Sequence, residues 1–290
     1  MTRFILLLAF TLLVGKTPFA QTRAQIDSLT ADIYKKLKNM PPPSDSGIPA
    51  YQPPPKVPDT VHYARVHFYK PQALPALFET AFFTLSSFKQ DTMTFYFAAI
   101  DIGDLNCETG RLIACDPIVM QDVRPFVQQF PVGRFPVQLS IATYKQEERV
   151  AFSRICFSGE QVARWEFALH SGQQQKSIFD STFYSYGVDG GIGIFIDSLA
   201  NNAFAMLQKE DVYLWDRAFA GEMSKHDHLS WQYALYNFQG HNLATFSTGW
   251  GDGHYATYVG YDKNGKICRL LTDFGLFDWW KSKDGENLEN

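Results

Sequence analysis

Residues 255–272 read Y-A-T-Y-V-G-Y-D-K-N-G-K-I-C-R-L-L-T, two runs of β-branched and aromatic residues on either side of Asp262-Lys263-Asn264-Gly265. Asn-Gly is a strong hairpin signal, because both residues tolerate the positive φ angles that a tight turn between antiparallel strands demands. The stretch therefore predicts strands over 255–261 and 266–272. Runs of the same composition recur at 92–102, 111–115, 135–143, 148–157, 162–169, 193–197 and 243–246. In Val162-Ala163-Arg164-Trp165-Glu166-Phe167 the apolar Trp165 and Phe167 fall on the face opposite Arg164 and Glu166, as the two-residue period of a strand requires. Helical pattern in this part of the chain is confined to 74–85 and 198–208, with Ser198 placed as an N-cap. The predicted fold is mainly β (α+β): an antiparallel β-sandwich or bent sheet with a few flanking helices, in one domain over 61–280 followed by a polar tail, 281–290.

Upstream of that domain the pattern changes. Ile26, Leu29, Ile33, Leu37 and Met40 recur at helical spacing between charged residues, which predicts an amphipathic helix over 21–40. Eight prolines among the eighteen residues from Pro41 to Pro58 then predict an extended linker over 41–60. Residues 1–20 have the pattern of a secretory signal peptide: Arg3, an apolar run from Phe4 to Val14, and small or turn residues before Ala20. That run is short of the ~20 apolar residues a spanning helix needs. The expected mature chain begins at Gln21, carries no transmembrane segment and works outside the cytoplasm, in the periplasm or beyond.

The formal net charge of −4 and the lack of a basic cluster longer than Lys35-Lys36 argue against nucleic acid as a partner. Four cysteines, Cys107, Cys115, Cys156 and Cys268, would meet an oxidising compartment after export. Cys107 and Cys115 flank a turn-like Glu-Thr-Gly-Arg, so their pairing as a hairpin staple is the expected disulfide. No C-x-x-C spacing suggests structural zinc.

The chemistry-bearing stretches are two glycine loops. Phe246–Tyr261 contains S-T-G-W-G-D-G-H-Y, in which Trp250, Asp252 and His254 stand among Gly249, Gly251 and Gly253; Tyr186–Asp197 reads Y-G-V-D-G-G-I-G-I-F-I-D, with Asp189 among four glycines. Glycine at this density implies turns or close approaches that a side chain would forbid. Asp189, Trp250, Asp252, His254 and Tyr255 are the candidate ligand-binding residues, on the expectation that the two loops converge and that carboxylates beside aromatic faces line a pocket. Asp197 and Asp262 are further candidate carboxylates, although an aspartate in a loop most often accepts hydrogen bonds from its own backbone. Gly260–Lys266 fails as a phosphate loop, because Ile267 replaces the magnesium-binding hydroxyl and a strand follows. His226-Asp227-His228, with His241 and His254, is read as solvated loop histidines, so no metal is assigned and no cofactor is implied.

The chain resembles a bacterial family known as domain of unknown function 4241. The resemblance runs over 110–274, through G-R-L-I-A-C-D-P (110–117), F-P-V-G-R-F-P-V (130–137), E-R-V-A-F-S-R (148–154), R-W-E-F-A-L (164–169), both glycine loops and T-D-F (272–274). It implies a compact domain and supplies no reaction. The function expected from the residues is a non-catalytic domain that holds a ligand or protein of the cell envelope on its glycine-aspartate loops. The second reading is a secreted or periplasmic hydrolase with Asp189 and Asp252 as acid and base or as cation ligands.

Overall fold

The computed structural model describes residues 75–280, Ser181 and Leu229 excepted. The signal segment, the amphipathic helix, the proline-rich linker and the polar tail expected at 1–20, 21–40, 41–60 and 281–290 lie outside those residues.

The hairpin anticipated at Asn264-Gly265 is part of the larger sheet, towards its Arg164–Phe167 edge. β11 (Gly253–Tyr261) and β12 (Ile267–Asp273) pair antiparallel across it. Gly265 takes φ +75°, and the Asp262 carboxylate accepts the backbone N–H groups of Asn264 and Lys266 at 2.8 Å each. From β12 the sheet continues through β5 (Glu147–Cys156), β4 (Gly133–Tyr144), β2 (Met93–Cys107) and β1 (Ser87–Gln90); β11 also pairs with β6 (Arg164–Phe167) and, at its first residues, with β7 (Tyr186–Val188). The second sheet has the order β3 (Leu112–Cys115), β8 (Ile192–Asp197), β10 (His241–Ser247), β9 (Tyr233–Phe238). Every strand pair is antiparallel.

Strand alternation sorts the apolar residues into layers. Leu105, Val137, Leu139, Ile155, Val259 and Leu270 from the larger sheet form one buried cluster with Leu112, Ala114, Phe195, Ala244 and Phe246 from the smaller, so the two sheets pack face to face. Residues of opposite parity, such as Phe152, Phe167, Tyr258 and Leu271, cover the outer face of the larger sheet. The outer face of the smaller sheet presents Ile113, Ile194, Ile196 and Leu243 to Ala200 and Phe204 of the helix α2 (Ser198–Glu210). The long strand β2 bends at a bulge between Asp101 and Gly103. A Cβ on Gly103 (φ +108°) would lie 2.9 Å from Leu235 Cδ2, so glycine there lets strands of the two sheets cross closely.

Four expectations are corrected. The helix predicted over 74–85 is the single turn α1 (Leu77–Thr80); the chain beyond it runs through turns, and Leu85 at φ +66° leads into β1. α1 is held by Phe78, whose ring meets those of Trp165, Tyr258 and Trp279 at 5.1, 4.9 and 4.7 Å. The N-cap of α2 is Asp197 and not Ser198: its carboxylate accepts the Leu199 N–H at 2.9 Å. Three strands, β1, β7 and β9, were not anticipated; β1 and β7 are too short to show a period. The Cys107–Cys115 disulfide is absent and all four thiols are free. The residues between them do not fold back as a hairpin but carry the chain from one sheet to the other: Cys107 pairs with Gly133 in the larger, Cys115 with Ile194 in the smaller. Among the described residues no helix is long and apolar enough to cross a membrane.

Candidate functional site

Both glycine loops cross between the sheets at the same end of the sandwich. The chain leaves β7, paired to the larger sheet, passes Asp189, Gly190 and Gly191 and enters β8 of the smaller; it leaves β10 of the smaller, passes 248–252 and enters β11 of the larger. The flanking pairs Ser247↔Ile192 and Gly253↔Val188 set the crossings side by side. The Thr248 N–H donates to the Gly191 carbonyl at 3.1 Å, and a Cβ on Gly191 would lie 3.5 Å from Gly251 Cα. The backbones of the two loops therefore lie side by side, at Gly191 and Gly251.

The 248–252 loop is fixed from within. Thr248 accepts the Gly251 N–H at its carbonyl (2.5 Å) and donates its hydroxyl to the Gly251 carbonyl (2.8 Å), which also accepts the Tyr255 hydroxyl at 2.7 Å. Gly249 (φ +40°) lies against the backbone of the 274 position, where a Cβ would come within 2.8 Å of the Phe274 carbonyl oxygen. Burial raises the Tyr255 hydroxyl above its ordinary value, with Asp252 and Asp273 adding to the effect against the Thr248 hydrogen bond, so it stays a donor at neutral pH. Tyr255 is thus a strut under the loop, in edge contact with Phe274, rather than part of an open wall.

The partner loop is fixed from outside. Asp116 is buried, and its carboxylate accepts the N–H groups of Ile118 (2.7 Å), Asp189 (2.8 Å) and Gly190 (3.0 Å). One side chain therefore caps the 3-10 turn Pro117–Val119 and clamps the Asp189 loop. Sequence reasoning missed this role. The signal was an aspartate directly before a proline, an N-cap pattern within the G-R-L-I-A-C-D-P landmark.

Held in this way, the loops expose Asp189, Trp250, Asp252 and His254. Trp250 is 69% exposed, and the Arg149 guanidinium lies 5.1 Å from its ring centre. Asp197 and Asp262 are elsewhere and are spent on structure: Asp197 accepts from Thr109, Gly110 and Leu199, and Asp262 closes the β11–β12 turn. Among the described residues no group of three histidine, cysteine, aspartate or glutamate side chains is placed to hold a metal ion. His228 lies flat on Trp231 (4.0 Å, 5°) and His226 on Tyr233 (4.5 Å, 22°), so these histidines cap an aromatic stack.

A model of the family described as protein of unknown function (DUF4241) matches residues 105–272. The chain belongs to that family. The match takes in both glycine loops and Asp116, and stops short of the segments that seal the outer face of the larger sheet, Phe78 and Phe82 before it and Phe277 and Trp279 after it. In this DUF4241 chain the candidate site therefore lies wholly within the family segment. No curated protein and no solved structure matches the chain.

Proposed function

We propose that this DUF4241 protein is a non-catalytic binding domain, working after export, that holds a component of the cell envelope on the face of its two glycine loops. The observation that carries the reading is Trp250: the largest side chain of the chain's repertoire stands 69% exposed on a loop whose backbone is pinned by Thr248, Tyr255 and the Val150 carbonyl. An exposed aromatic on a pre-organised loop loses little freedom on binding and gains the burial of a large surface, which is how binding hot spots are built. The export segment at 1–20 supplies the compartment in this reading. The hydrolase reading has less support, because Asp189 and Asp252 are both exposed and the burial that would divide acid from base duties is missing at each.

Co-sedimentation of the purified protein with isolated envelopes of the source cells tests it. Trp250→Ala is expected to weaken association by about 2 kcal/mol, roughly thirtyfold, with an unchanged melting temperature. Wild-type and variant sedimenting alike would remove the reading.

A further inference from the structure

Between Trp250 and the 3-10 turn lie three glycines, Gly190, Gly191 and Gly251. A Cβ on Gly190 would meet Ile118 Cδ1 at 3.3 Å and one on Gly191 would meet Gly251 Cα at 3.5 Å, so Ile118, Gly190, Gly191, Gly251 and Trp250 follow one another across the two loops. Ile118, 51% exposed, and Val119 stand at one end of the strip and Trp250 at the other. Glycine floors allow another chain to approach the backbone closely. Ile118 sits there because Asp116 draws its N–H and those of Asp189 and Gly190 onto one carboxylate.

The charges at this strip are unbalanced. Asp189 and Asp252, one on each loop, are exposed, and among the described residues neither forms an ion pair. Arg149, the cation beside Trp250, is already paired with Glu147 at 3.4 Å. The floor's own polar groups are largely engaged inside the protein: the Gly190 N–H with Asp116, the Gly191 carbonyl with Thr248, and both polar groups of Gly251 with Thr248 and Tyr255. Recognition by added β-pairing is therefore disfavoured, and side chains remain as the means of contact. Apolar side chains at the two ends, with an exposed carboxylate on each loop, match a partner of the complementary composition.

We propose that the strip takes an extended peptide segment rich in lysine or arginine alternating with apolar residues, the cations over Asp189 and Asp252 and the apolar side chains against Trp250 and Ile118. This deepens the binding reading above and rests on it.

Fluorescence anisotropy with three labelled heptapeptides tests the chemistry: lysine alternating with leucine and phenylalanine, and the same peptide with glutamine or glutamate in place of lysine. The lysine peptide is expected to bind best, the glutamine peptide about fivefold weaker and the glutamate peptide weaker still. Raising salt from about 0.05 to 0.5 M should erase most of that order. The double variant Asp189→Asn with Asp252→Asn should lose about fivefold for the lysine peptide while its melting temperature and its affinity for the glutamine peptide stay unchanged. Equal binding of the three peptides, or a double variant that binds the lysine peptide as the wild type does, would overturn the proposal. So would the absence of any peptide binding alongside Trp250-dependent envelope association, a result that leaves the broader binding function standing.

Discussion

The residue that most constrains the site carries no functional group. Gly249 combines φ +40° with a Cβ position 2.8 Å from the Phe274 carbonyl oxygen and 2.9 Å from Leu276 Cδ1, so an added methyl group meets backbone that cannot yield. Gly249→Ala is expected to cost about 3 kcal/mol. Gly251, at φ +101° with open space around its Cβ position, carries only conformational strain, and Gly251→Ala should cost about 1 to 2 kcal/mol. Asp252→Asn removes an exposed charge and should stay within about 0.5 kcal/mol of the wild type. Urea unfolding of the three variants checks this order. If Asp252→Asn proves as destabilising as Gly249→Ala, its carboxylate belongs to the loop's structure and is not free for a partner. The sequence marked this glycine cluster but not the member that matters most, since the Phe274 contact spans a separation that no local pattern records.

At the scale of elements, Asp197 joins three parts that the sequence presents separately. It ends β8, caps α2 through Leu199, and accepts the N–H groups of Thr109 (2.9 Å) and Gly110 (3.1 Å) together with the Thr109 hydroxyl (2.8 Å). The turn between β2 and β3, which moves the chain from one sheet to the other, is therefore tied to the start of α2. Asp197→Ala strips all of these donors of a buried acceptor and should cost about 3 kcal/mol or more; Asp197→Asn, which retains one acceptor oxygen, should cost less. Thermal melts give the order, and faster amide exchange at 109, 110 and 199 would locate the loss. Uniform exchange across the domain would show instead that the carboxylate does not fasten this junction. Element types here were readable because strands alternate every second residue and α2 shows helical spacing. The cap was assigned to Ser198 because serine and aspartate are both good caps, and only the backbone conformation separates them.

For the molecule as a whole, the free thiols make stability sensitive to alkaline pH. Burial, with the Asp197 carboxylate adding to it, pushes the Cys107 thiol from its ordinary 9.0 up to about 12, and Cys115 is raised further by burial and by Asp116. An acid held protonated in the fold stabilises it fully below the unfolded value, and this contribution is lost as pH climbs toward the folded value. The melting temperature should therefore fall progressively above about pH 9, and less steeply in Cys107→Ala. A profile flat to pH 11 would contradict the burial argument. Labelling after denaturation without reductant should find all four thiols free, and a Cys107–Cys115 cross-link in that experiment would contradict the placement of those residues in different sheets.

By itself the sequence determined the mainly β character, the β11–β12 hairpin with its Asn264-Gly265 turn, most strand positions and the two glycine loops as a marked place. These rest on short-range physics: a two-residue period of burial, and positive φ angles that glycine and asparagine adopt most readily. The tertiary structure decided which strands share a sheet, that the Asp189 and Trp250 loops cross side by side, and that Cys107 and Cys115 part company after a few residues. It also turned Tyr255 into a strut and made Asp116 the clamp of a loop more than seventy residues away. Each of these depends on pairing between segments far apart in the chain, set by which apolar faces bury one another, and no local window of residues contains that information.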